Sequence, residues 1–192
     1  MQEKIVEFTK NEHSTIWSII AVGIVIVMLF CNKKVRLNKL LKEQMAVFKN
    51  DKNKKISVWD IFCFVIFPIV LAMILVYALD KPIYKQLANT LTTIFSLVFT
   101  ILFGFIAILI GKIDDPNNNG RVRQVVIETF TSIISSTLLA LFGTVAAIVI
   151  TAANEGNKIL ISVLSCGVYS AAFMIVMLIL MTTKRIFLIY KQ

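Results

Sequence analysis

Two long apolar stretches carry small and hydroxyl side chains at helical spacing. Thr93, Ser96, Thr100 and Gly104 share one side of the first, and Ser132, Ser136, Ala140, Thr144 and Ala147 one side of the second. In lipid, stripes of this kind let helix backbones approach closely and exchange modest hydrogen bonds. Completed between copies of the chain, they would instead line a pathway for a polar solute. The ionisable groups with pairing potential are Asp60, Glu128, Lys184 and Arg185, all near the ends of apolar stretches. Acid-to-base pairing across helices is geometrically possible there, but snorkelling of Lys184 and Arg185 toward headgroups explains them equally well. Glu128 near a helix N-terminus also complements the helix dipole without any partner. No charge falls in the middle of a stretch, where coupled transporters and proton relays place theirs.

Catalytic constellations are missing. The chain has a single histidine, His13, and no phosphate-binding glycine loop or HExxH pair. Cys31, Cys63 and Cys166 are odd in number and lie in or beside apolar stretches, as small packed thiols do. The segment from Asp114 to Gly120 is rich in turn formers, yet its acidic residues lack calcium-loop spacing. The expectation is a protein that is not an enzyme and needs no cofactor or metal.

The elements that must position these residues follow from composition. Of 192 residues 58% are apolar and 16% charged, far from the balance of a soluble domain. Crossing a bilayer takes about 20 apolar residues at 1.5 Å rise each. Five stretches qualify, at about 15–31, 57–79, 87–111, 127–153 and 159–183. Unbroken runs of this length without two-residue alternation exclude a barrel, so the fold class expected is all-α, a polytopic transmembrane bundle in a single membrane domain. The last two spans are separated only by Asn154 to Lys158, which makes an antiparallel hairpin, and the second and third read as another. Pro68 should kink the second span. The first span lacks a basic leader and a cleavage site, so it reads as a retained helix.

Segment 32–56 holds nine basic residues against Glu43 and Asp51. By the positive-inside rule it is cytoplasmic, which places the N-terminus outside and the C-terminus inside. That orientation puts fifteen basic residues inside and five outside, so the net charge of +9 reflects topology and not a nucleic-acid footprint. Within the segment Leu37, Leu40, Leu41, Met45 and Phe48 follow helical spacing with Lys39 and Lys42 between them. An amphipathic helix on an anionic cytoplasmic leaflet is expected, with Leu37, Leu41, Met45 and Phe48 dipping into the acyl boundary. The same surface would serve either as a simple anchor or as a dock for a cytoplasmic protein.

The order LTTIFSLVFTILFG, then ETFTSI opening the next span, then TTKRIFLIY closing the last, resembles small uncharacterised polytopic membrane proteins of bacteria. Some of these accompany phage-defence genes, where a membrane subunit partners a cytoplasmic protein. The resemblance implies a sensor or effector of envelope integrity and gives no residue a role. Together the readings point to a non-enzymatic, homo-oligomeric subunit of the bacterial inner membrane working with a cytoplasmic partner. The alternative is a channel or permease-like subunit with a Thr/Ser-lined pathway.

Overall fold

The computed structural model describes residues 37–47, 58–113, 120–152 and 158–190. These are helical apart from a short connection at 79–84, and no strand occurs among them. Helix α1 is Leu37–Val47. Segments Val58–Ile61, Phe62–Ile66, Phe67–Met73 and Ile74–Ala78 run end to end as α2. Helix α3 is Lys85–Ile113, α4 is Gly120–Ala152 and α5 is Lys158–Tyr190. Four helices are long and apolar enough to cross a membrane: Trp59–Ala78, Lys85–Gly111, Arg123–Ala152 and Lys158–Phe187. They correspond to the second through fifth spans expected from sequence; the first, 15–31, lies outside the described residues.

The packing order is not the order of the chain. α4 is the central helix, with α3 on one side and α5 on the other, and α2 packs on α5. The two helices joined by the short connection, α2 and α3, make no close backbone approach, so they do not form the hairpin that their spacing suggests. A buried residue explains how so short a connection bridges them: Ile83 is fully buried, in one cluster with Ala88 of α3, Ile150 of α4 and Val168 of α5. Its backbone N–H donates to the buried Ser165 Oγ of α5 at 2.9 Å. The loop is pinned into the bundle through a side chain and its own amide.

Two local features shape α2. Pro68 cannot donate to the helix ladder, and its ring crowds the carbonyl four residues earlier. The chain meets this by widening the preceding turns at Phe62–Ile66 to π-type spacing, and an ordinary α-helix resumes at Phe67. The end of the helix is widened too: Leu79 N–H donates to Ile74 O at 3.0 Å and Lys81 N–H to Leu75 O at 3.1 Å. Asp80 takes the left-handed conformation, φ 50°, that stops a helix, and Pro82 prevents its resumption.

The inward faces of α3 and α4 repeat every seven residues. On α3 the buried positions are Ala88, Phe95, Leu102 and Leu109. On α4 they are Val126, Ile133, Ala140 and Ala147, interleaved with Thr129, Ser136, Gly143 and Ile150. A 3.5-residue repeat keeps one seam toward a partner running at a shallow angle. Size alternates across that seam. The ring tip of Phe95 lies where a Cβ on Gly143 would stand, 2.9 Å from Cζ, so glycine is what lets the ring enter.

Candidate functional site: a polar clasp at the Arg185 end

Glu128 sits in the early turns of α4 and Arg185 in the last turns of α5, and because the two helices are antiparallel their polar ends share one level. Arg185 Nη1 stands 3.1 Å from Glu128 Oε2, with the two side chains only 21% and 27% exposed. Gln124 Nε2 donates to the other carboxylate oxygen at 3.2 Å. The second guanidinium nitrogen, Nη2, donates to Val47 O at 3.3 Å. Val47 is the last described residue of α1. A planar guanidinium has donors enough to hold a carboxylate and a carbonyl together, which an ammonium does less well.

A second contact fastens α1 directly to α4. Ser135 Oγ lies 2.9 Å from Gln44 Oε1, to which it donates, and 3.0 Å from Thr131 O within its own helix. Gln44 and Val47 are the two buried side chains among those described on α1, while Lys42, Glu43, Met45 and Ala46 are exposed. Successive helix residues turn by about 100°, so Met45 lies roughly a third of a turn from the docked face through Gln44 and Val47. Leu37, Lys39 and Leu41 fall on α1, and Phe48 lies outside the described residues. Beside the clasp a cleft of about 530 Å³ opens between α1 and α4, reaching the end of α3, with Ala46, Val47, Ile113, Phe130 and Ile134 among its walls. Three buried polar atoms at this end of the bundle have no hydrogen-bond partner: Gln44 Nε2, Thr129 Oγ1 and Arg185 Nη1, the last making its ion-pair contact without hydrogen-bond alignment.

The two hydroxyl stripes take opposite positions. Ser132, Ser136, Ala140 and Ala147 of α4 are buried and Thr144 is half-buried, all on the packed side of the helix. Their hydroxyls donate within α4: Ser132 to Glu128 O, Ser136 to Ser132 O and Thr144 to Ala140 O, at 2.9 to 3.0 Å. Thr93, Ser96, Thr100 and Gly104 of α3 are exposed and face away from the bundle. Thr100 Oγ1 there donates to Ser96 O at 2.9 Å. Among the described residues Thr151 Oγ1 of α4 donates to Asn89 Oδ1 of α3 at 3.1 Å, a polar link between the two helices. Asp60 is half-buried in the first turn of α2 and Lys184 is exposed. Cys63 and Cys166 are free, half-buried thiols.

The described contacts hold elements together: an ion pair between Glu128 and Arg185, a bond from Arg185 to the Val47 carbonyl and a side-chain hydrogen bond from Ser135 to Gln44. Among the described residues no three His, Cys, Asp or Glu side chains stand together as metal ligands do. Three of its residues, Gln44, Val47 and Ser135, were not singled out by composition or spacing. The available signal was a glutamine followed by the apolar Met45, Ala46 and Val47 on a short helix.

The fold and site define a helical protein with four apolar helices of membrane-crossing length and a short helix clasped to one end. Comparison with protein-family models, curated proteins and solved structures finds no match.

Proposed function

We propose that the chain is a non-enzymatic subunit of a bacterial inner membrane, a sensor or effector of envelope integrity that works with a cytoplasmic protein. Its N-terminus is outside, its C-terminus inside, and the fifth span is segment 15–31. The observation that carries the reading is the fastening of α1 to the bundle by Arg185 and Ser135. A basic, amphipathic segment tied to the spans at a fixed place is a means of coupling the membrane part to something outside it. The exposed side of α1, with Lys42 and Met45, is then available for an anionic leaflet or a protein partner.

Copies of the chain associate through the outward stripe of α3, where Ser96, Thr100 and Gly104 leave room for close backbone approach. The resemblance to small polytopic membrane proteins of bacteria, some of which accompany phage-defence genes, agrees with such an arrangement. A hydroxyl-lined conduit is less well supported, because the α4 hydroxyls are packed inside the bundle and satisfied within their own helix.

The test is purification in mild detergent with the native mass measured, for the intact protein and for a variant with Leu37, Leu41, Met45 and Phe48 replaced by serine. A defined homo-oligomer that carries a stoichiometric cytoplasmic protein, lost in the variant, is the expected result. A monomer with no companion in either form overturns the reading.

A further inference from the structure

We propose that the apolar segment 15–31 seats on the side of α4 that faces neither α3 nor α5, antiparallel to α4 and in line with α1 on the same surface. The inference rests on the five-span reading above and adds where the fifth span goes. The sides of α4 packed on α3 and α5 include the small and hydroxyl residues Ser132, Ser136, Ala140, Gly143 and Ala147. The remaining side is apolar and bulky: Leu138 is half-buried, and Leu141, Phe142 and Val145 are 42%, 44% and 38% exposed. Thr131 and Ile134, which wall the cleft beside α1, lie on that same side, within about 60° of one line at about 100° per residue. α1 thus already occupies the first part of it.

The contacts of α1 also give a direction. Gln44 is met by Ser135, whereas the carbonyl of Val47, further along α1, is held by Arg185 at the level of Glu128, about two turns nearer the start of α4. The chain entering α1 therefore comes from the Ser135 side, where the open stretch begins. Segment 32–36 joins the two and reaches about 20 Å at most. At 1.5 Å per residue, 15–31 is about 25 Å long and the stretch from Leu138 to Ala152 about 21 Å, so one covers the other. With their ends aligned antiparallel, Gly23 falls at the level of Phe142, and Ile20 and Val27 at the levels of Val145 and Leu138. A ring set against glycine is the way α3 already packs on α4, through Phe95 and Gly143. Close approach at such a residue is how apolar helices gain contact in lipid.

The test is disulfide formation in membranes holding the full-length chain with Cys31, Cys63 and Cys166 replaced by alanine. Two pairs at different depths probe the seat: Gly23→Cys with Phe142→Cys, and Ile20→Cys with Val145→Cys. The comparisons join Gly23→Cys to Leu97→Cys on the outward side of α3 or to Val70→Cys on α2, both exposed positions. After mild oxidation trypsin cuts at the lysines between the cysteines, and linked peptides are quantified by mass spectrometry. Non-reducing gels separate links within one chain from links between copies. Both seat pairs are expected to link within one chain at yields about tenfold above either comparison. A preference for Leu97→Cys or Val70→Cys overturns the seat, as do links formed only between copies. Equally low yields in every pair, the result for a face covered by lipid, overturn it too. Labelling with a membrane-impermeant thiol reagent separates the two ways to fail: with Gly23→Cys labelled the span itself is lost, and with it protected only the place on α4 is.

Discussion

Replacing Gly143 by alanine tests the seam between α3 and α4 at its tightest point. The new Cβ would meet Phe95 at 2.9 Å from Cζ and 3.0 Å from Cε1 and Cε2. Carbon atoms in good contact stand about 3.5–4.0 Å apart, so the ring must move by roughly 0.5–1 Å. Phe95 is only 3% exposed, in a cluster with Ala140, Ala146 and Ile150, and has little room to do so. Overpacking of this kind costs about 1–3 kcal/mol, against a gain of about 0.5–1 kcal/mol from removing glycine within a helix. The expected net effect is destabilisation by about 1 kcal/mol. The decisive version is a double-mutant cycle, because Phe95→Leu deletes the Cε and Cζ atoms that cause the clash. In that background Gly143→Ala should be neutral or slightly stabilising, a coupling of about 1–3 kcal/mol by equilibrium unfolding in mixed micelles. A cost for alanine that is the same with Phe or Leu at position 95 would refute the close approach.

Two further outcomes follow from single contacts. Ser165→Ala leaves the buried Ile83 N–H without an acceptor, so it should cost about 1–3 kcal/mol of stability, and the Ile83 amide should exchange faster than the flanking α3 amides. Unchanged exchange at Ile83 would mean that the loop is held by packing alone. The Glu128 and Arg185 pair is more than two-thirds buried on each side, so a cycle of Glu128→Gln and Arg185→Gln should give a coupling of about 1 kcal/mol that weakens little with salt. Zero coupling would make both side chains independent surface groups.

Where the spans lie was readable from apolar run length. The expected 57–79, 87–111, 127–153 and 159–183 fall within a few residues of Trp59–Ala78, Lys85–Gly111, Arg123–Ala152 and Lys158–Phe187. Which way each stripe faces was not readable. Thr93, Ser96, Thr100 and Gly104 have nearly the same composition and spacing as Ser132, Ser136, Ala140 and Thr144, yet the first set faces outward and the second inward. In lipid both sides of a helix are apolar enough, so polarity gives no inside-out contrast. The seven-residue repeat of Phe95, Leu102 and Leu109 does distinguish the packed side. Glu128 and Arg185 could be placed at one end by counting residues, whereas the choice of Arg185 over Lys184 depends on a turn of about 100° between them. Gln44 and Ile83 were silent for a different reason: each takes its role from residues about 80 to 90 positions away, and no local pattern encodes such a contact.

The central claim, an inner-membrane bundle whose clasped and basic end faces the cytoplasm, is tested most directly by sidedness. Single cysteines replacing His13, Asn118 and Asn157 in the cysteine-free chain would be exposed to a membrane-impermeant thiol reagent in intact and in permeabilised spheroplasts. The account predicts that positions 13 and 157 label in intact cells and that position 118 labels only after permeabilisation. Labelling of position 118 in intact cells, or of positions 13 and 118 from the same side, would contradict it.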